Sequence, residues 1–231
     1  MPQDIVTINL GGINCYLVKS TVGCILIDTG ISTKRFKLEK ELERVGCKTE
    51  DVNLIVLTHG DHDHAGNCQY LNKKYGIKIA MHNGDSGMVE RGDMNWNRKA
   101  NPDKISILFK MISFLFGRSI KFDTFKPDMY IEDGYDFSVH GVDAKVVHIP
   151  GHSMGSIGIL TTDGDFICGD LLINIGKPSL HFAISDINEA NSSVEKLKPL
   201  EIKTVYPGHG KPFQMELFIK KYPCPCDSIK M

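Results

Sequence analysis

The chain has no charge imbalance: 27 Lys and Arg stand against 28 Asp and Glu, a formal net charge of -1. Proteins that hold nucleic acid or anionic lipid by bulk electrostatics carry a surplus of positive charge, so no nucleic-acid partner is expected. The apolar stretch Ile105 to Gly117 falls short of the roughly 20 residues that a membrane-spanning helix needs, so no membrane span is expected. The first residues, Met1 to Val6, have neither the basic nor the apolar segment of a secretory signal. Seven cysteines, an odd number and mostly inside apolar stretches (Cys15, Cys24, Cys168), do not make a disulfide framework. The expected compartment is therefore cytoplasmic, with reduced core thiols.

What is present is a chain of 231 residues with 42% hydrophobic content, enough for a sizeable core in one large α/β domain spanning residues 1–231. It is organised around Thr58 to Gly66. The apolar run Val52 to Leu57 before it reads as a buried strand, so the polar residues sit on the loop at its carboxyl end, where α/β sheets usually place their chemistry. That loop offers His59, Asp61, His62, Asp63 and His64 within six residues. Imidazole and carboxylate are ligands of borderline and hard divalent cations. Packed together without a cation, the carboxylates repel and each imidazole needs a partner.

Residues 4–28 alternate polar and apolar around Gly11-Gly12 and Thr21 to Gly23, which predicts two or three antiparallel strands. Ser32 or Thr33 can cap a helix through Val45, with Phe36, Leu38, Leu42 and Val45 as its apolar stripe and Gly46 as its end. A helix from Ala65 to Tyr75 and a strand Ile77 to Met81 follow. Residues 83–133 differ in character: they hold Trp96, a loop-like stretch Asn95 to Asp103, the apolar 105–117 segment and five of the 11 Phe. A helix that is apolar on every side has to be covered, by its own core, by folding as a lid over substrate, or by a homodimer contact through 105–117. Further strands are read at Val146 to Ile149, Ser156 to Leu160, Phe166 to Cys168 and Ile202 to Tyr206, with a helix over 186–198. In the tail, Cys224 and Cys226 form a Cys-x-Cys pair between prolines.

His59-x-Asp61-x-Asp63-His64 resembles the His-x-His-x-Asp-His signature of the metallo-β-lactamase superfamily, with Asp61 standing where the second His usually is. Leu26 to Gly30, Ile149 to Ser153, Cys168 to Asp170 and Tyr206 to Gly210 are similar to the superfamily's other motifs and come in the expected order. The resemblance implies an α/β (α+β) fold, a four-layer αββα sandwich of two mixed β-sheets flanked by helices. It also implies two divalent metal ions. His59 and His152, with Asp61, would hold one; Asp63, His64 and His209 would hold the other; Asp170 would bridge them, and Asp63 and Asp170 would carry the catalysis. Asp28 would support the metal loop, or else cap the following helix.

Zinc is the first expectation. Asp61 puts a carboxylate where imidazole is usual, which hardens the site and admits iron or manganese; alternatively Asp61 points away and one metal binds tightly. His62 is expected to turn outward, and His148 to be buried with one hydrogen bond. His82 and His140 carry no signal by spacing, and His181 can line the pocket. The implied activity is a metal-dependent hydrolase of a small ester, thioester or lactone, with a metal-bound hydroxide as nucleophile. The alternatives are a di-iron oxidoreductase similar to flavodiiron proteins, although the chain has no flavodoxin-like module, and a phosphodiesterase.

Overall fold

The computed structural model describes residues 4–20, 22–98 and 123–222. The alternating N-terminal residues form β1 (Asp4–Asn9), β2 (Asn14–Ser20) and β3 (Gly23–Ile27), paired antiparallel as expected. β4 (Val52–Val56), β5 (Lys78–Met81) and β6 (Met129–Tyr130) then add in parallel, giving a mixed sheet in the order β1-β2-β3-β4-β5-β6. In the second sheet β7 (Ala144–His148), β8 (Ile157–Thr161) and β9 (Asp165–Gly169) are antiparallel. A hairpin of β10 (Leu172–Ile175) and β11 (Lys177–Leu180) follows β9. β12 (Thr204–Pro207) lies parallel to β9, and β13 (Phe213–Gln214) closes that edge.

Helices among the described residues are α1 (Arg35–Arg44), α2 (His62–Ala65), α3 (Cys68–Tyr75), α4 (Ser86–Arg91), α5 (Ile187–Leu197) and α6 (Met215–Ile219). Because side chains alternate faces along a strand, each sheet has two apolar sides to bury. Leu17, Leu26, Ile55 and Ile79 pack with Leu38 and Leu42 of α1 and Leu71 of α3. Their neighbours Tyr16, Ile25, Ile27, Leu54 and Val56 face the other way and meet Val146, Ile157, Ile159 and Ile167 of the second sheet. On the far side Val147, Phe166, Cys168 and Val205 meet Ala190, Val194 and Leu197 of α5 and Phe218 of α6. These three apolar layers separate helix, sheet, sheet and helix, the expected αββα sandwich.

The structure corrects several local expectations. Phe36 is 81% exposed and does not belong to the α1 stripe; it lies two residues from Leu38, about 200° around the helix, so both cannot face the core. Neither Ser32 nor Thr33 caps α1: a 3-10 turn, Ser32–Lys34, leads in without a side-chain cap. The C-terminus is as expected, with Gly46 at φ +78 donating to Glu43 O at 2.9 Å and Cys47 N to Leu42 O at 3.0 Å, the double closure of a Schellman turn. The helix expected over 65–75 is two, α2 and α3, divided at Gly66-Asn67. Within the 83–133 insertion, α4 and β6 pack onto the first sheet and Phe125 joins the core. The 105–117 segment, its lid and homodimer readings, and the Cys224/Cys226 pair lie outside the described residues.

Candidate metal centre

Each singled-out residue follows a strand end. His59 comes three residues after β4, His152 four after β7, Asp170 directly after β9 and His209 two after β12. Asp63 and His64 belong to α2, a helical turn where an open loop is expected; the Asp61 carbonyl accepts from His64 N at 2.9 Å and Ala65 N at 2.8 Å. The turn decides which side chains go inward. His64 is fully buried at the centre, whereas His62 is directed away, as expected, with Nδ1 2.9 Å from Met94 Sδ.

Two neighbouring donor groups result. In one, Asp61 Oδ2 is 3.6 Å from His59 Nε2 and 3.0 Å from His152 Nε2. In the other, Asp63 Oδ2 is 3.4 Å from His209 Nε2 and 3.9 Å from His64 Nε2. Asp170 lies between them, Oδ1 3.5 Å from His64 Nε2 and Oδ2 3.3 Å from His209 Nε2 and 4.0 Å from His59 Nε2. Gly208 makes this approach feasible, because a Cβ there would collide with Asp170 Oδ1 and His64. All seven residues therefore come together. His181 joins them, 3% exposed, with Nε2 3.5 Å from Asp170 Oδ2. His148 stays outside, half-buried, stacked on His82 at 4.2 Å and bonded to Met154 O at 2.8 Å.

The far nitrogens set the chemistry of the near ones. His152 Nδ1 donates to Ala183 O at 2.6 Å and His209 Nδ1 to Gly12 O at 2.8 Å, since a carbonyl can only accept. His64 Nδ1 donates to Asp28 Oδ2 at 2.8 Å. Thr58 gives its hydroxyl proton to Asp28 Oδ2 at 2.7 Å, so Thr58 Oγ1 accepts from His59 Nδ1 at 2.9 Å. All four rings thus spend Nδ1 on an outer partner and turn Nε2 toward the centre, the arrangement in which outer partners orient a metal-binding histidine. Asp28 also accepts Thr58 N at 2.8 Å; of its two expected roles, it fills the supporting one.

Three contributors escape the sequence analysis. Buried Asp85 accepts from Gly60 N at 3.0 Å and Ser153 Oγ at 2.6 Å through Oδ2, and from Gly155 N at 2.7 Å through Oδ1, tying the His59 and His152 loops together. Asn14 Nδ2 donates to Pro207 O at 3.0 Å and Gly210 O at 2.7 Å, pinning the turn that carries His209. Arg98 Nη2 stands 2.8 Å from Asp61 Oδ1 and 3.2 Å from His152 Nε2. The charge that Asp61 adds is therefore opposed by a guanidinium. Asp85 follows a strand end, which is a usable signal; Arg98 sits in a stretch with no periodicity.

Charges in this buried space are strongly displaced. Burial keeps His59 well below the usual imidazole range and pushes His181 down to about 4. For His209, burial acts downward but Asp170 and Asp63 override it and raise it to about 10. His64 is likewise raised against burial by Asp170, Asp28 and Asp63. Burial acts upward on Asp61, but Arg98 and His152 hold it well below the carboxylate range. Asp63 falls to about 2 as His64 and His209 outweigh burial. His59 Nε2, His64 Nε2, Asp170 Oδ1 and His181 Nε2 are buried without a hydrogen-bond partner, and Asp61 Oδ1 has only its ion pair. A buried cluster of unmatched polar atoms with excess carboxylate fits divalent cations.

Comparisons agree with this geometry. Residues 8–209 match the family model of the metallo-beta-lactamase superfamily. Similar proteins include the probable metallo-hydrolase YqjP of Bacillus subtilis (strain 168), 25% identical over 91% of this chain and 72% of its own. The beta-lactamase-like protein 2 homolog of Drosophila melanogaster is 26% identical over 87% of this chain, which spans 59% of that protein. The hydroxyacylglutathione hydrolase GloC of Haemophilus influenzae is 25% identical over 85% of each chain. Among solved structures, TTHA1623 in a di-iron-bound form shares the fold at TM-score 0.69 and 24% identity, covering 93% of this chain and 96% of that one. The class B3 di-zinc metallo-beta-lactamase LRA-12 from an Alaskan soil metagenome does so at 0.67 and 19%, covering 90% and 76%. The chain belongs to the metallo-beta-lactamase superfamily and is an enzyme of its metal-binding, metallo-hydrolase kind.

Proposed function

We propose that the enzyme hydrolyses a small ester, thioester or lactone at a centre of two divalent cations, zinc first among them. His59, His152 and Asp61 Oδ2 would hold one, Asp63, His64 and His209 the other, with Asp170 shared. The observation that carries this reading is the common state of four rings, each with Nδ1 spent on an acceptor and Nε2 aimed at the shared space. Such cations, when bound, acidify water and polarise a carbonyl oxygen.

The chain's own residues do the rest. Asp28, Thr58, Ala183 O and Gly12 O keep the four rings in register. Asp63, whose side chain is the most open of the three central carboxylates at 23% exposure, is placed to orient the attacking water and take its proton. The likeness to a hydroxyacylglutathione hydrolase supports the thioester among the candidate substrates. The near-neutral chain favours a small substrate over a polyanion. Five cysteines among the described residues are free, which supports a reducing, cytoplasmic setting.

The test is hydrolysis by zinc-loaded protein of a lactoylglutathione thioester, an aryl acetate, a γ-lactone and bis-p-nitrophenyl phosphate. Turnover of a carbonyl substrate that a chelator abolishes is the expected result; turnover of the phosphodiester alone would favour the phosphodiesterase. A second reading, a di-iron oxidoreductase, draws on the carboxylate Asp61 among the donors and on the di-iron form of TTHA1623. Metal analysis of protein purified without added zinc separates them, since tightly held iron with a redox-active spectrum would overturn the zinc hydrolase.

A further inference from the structure

His181 follows β11, and its backbone N–H is held by Leu171 O at 3.0 Å, beside Asp170. Its ring lies 5.3 Å from that of His152 and 5.6 Å from that of His209, inside the cluster. Its far nitrogen, however, is engaged in the opposite sense to the other four: His181 Nδ1 accepts from Ala183 N at 3.2 Å. An imidazole whose Nδ1 lone pair is taken by an amide carries its proton on Nε2 when neutral. One residue therefore sets two opposite states. Ala183 gives its carbonyl to His152 and so frees the His152 Nε2 lone pair, and gives its N–H to His181 and so puts a proton on His181 Nε2.

That Nε2–H is buried and has no hydrogen-bond partner; Asp170 Oδ2 is 3.5 Å away. Buried donors are almost always matched, and one left unmatched beside a reactive centre calls for an acceptor that arrives later. His152, Asp170 and His181 also form a candidate donor group, but in this tautomer the nitrogen presents a proton and no lone pair to a cation. We propose that His181 is a catalytic residue that donates its Nε2–H to the substrate's carbonyl oxygen as negative charge develops there, and is not a fifth imidazole ligand.

The inference rests on the hydrolase reading above. As water adds, a C–O bond forms and the carbonyl π pair moves onto oxygen, where His181 meets it. The pair then returns, the C–O or C–S bond to the leaving group breaks, and the proton lost by water ends on the leaving oxygen or sulfur. His181 keeps its own proton throughout. A fixed donor aimed at developing charge gains strength as the charge grows, so it favours the transition state over the ground state.

The test uses the full-length, metal-loaded protein as wild type, His181→Leu and His181→Gln, the last keeping an N–H donor. Loss of about 100-fold in kcat is expected for Leu, with partial recovery for Gln. Metal content per chain should be unchanged in both, and loss of one equivalent in Leu would overturn the proposal by making His181 a ligand. Affinity for methylphosphonate, a tetrahedral oxyanion, should fall about tenfold in Leu and less in Gln; equal affinity in all three overturns it. Nitrogen-15 spectra of the His181 ring give a readout independent of folding in the variants: protonated Nε2 supports the proposal, protonated Nδ1 ends it. If the wild type hydrolyses no carbonyl substrate, the hydrolase reading fails, while the spectra, metal content and anion affinity still decide the donor. If the wild type is active and folded Leu equally so, the donor fails and the hydrolase stands.

Discussion

Asp28 sits at φ +59, a backbone region that Asn and Asp tolerate better than other side chains, and its two oxygens serve Thr58 N, Thr58 Oγ1 and His64 Nδ1. Asp28→Asn keeps the shape and the backbone preference while removing the charge that orients His64. Zinc affinity should fall about 10- to 100-fold, measured by competition with a chromophoric chelator, with activity restored by excess metal. An unchanged affinity would reduce Asp28 to a structural turn residue. Arg98 makes the opposite prediction. Its guanidinium opposes Asp61 Oδ1 and crowds His152 Nε2, so Arg98→Leu removes a cation from the neighbourhood of the candidate metal. The metal-free variant should lose about 2–4 kcal/mol of stability, because breaking a buried pair leaves Asp61 alone. The same variant should bind metal more tightly. Stability and affinity moving together would show that Arg98 acts as plain packing.

The elements explain which parts of this were legible in the sequence. Strands β3, β4, β7, β9 and β12 are short and largely apolar, and a site residue follows the end of each, so strand ends and donors read together. The β10–β11 hairpin stayed hidden because Leu172 to Leu180 holds only a two-residue period broken by Gly176 and Pro178. The same gap hid the position of His181, whose role depends on where Ala183 points. Arg98 escaped for a similar reason: it acts through Asp61, far along the chain, and spacing carries no trace of that, whereas Asp85 is marked only by its place after β5. Phe36 falls off the apolar stripe of α1 and is exposed. A direct check follows, since Phe36→Ser should change stability by less than about 0.5 kcal/mol in denaturant unfolding, whereas Leu38→Ala should cost roughly 2–5. Similar losses in both would return Phe36 to the core face.

At the scale of the whole molecule the sandwich brings three carboxylates, Asp61, Asp63 and Asp170, to one buried edge and must neutralise them. In the metal-free protein Arg98 supplies one positive charge, and protons on His64 and His209 supply the others, His209 being raised to about 10 and His64 also raised. A base whose folded pKa exceeds its unfolded value of about 6.5 contributes stability that is complete below that value and is lost as pH rises through the folded one. The metal-free protein should therefore lose stability between about pH 6.5 and 10, and a chelator-treated sample should melt progressively earlier across that window. Metal must displace those protons, because Nε2 cannot hold a proton and ligate at once. At pH 7.5 zinc loading should release about two protons per chain, where unperturbed imidazoles would release almost none. Titration calorimetry in buffers of differing ionisation enthalpy measures the number directly. A release near zero would mean that the two rings are already neutral, and that the three carboxylates share their charge in some other way.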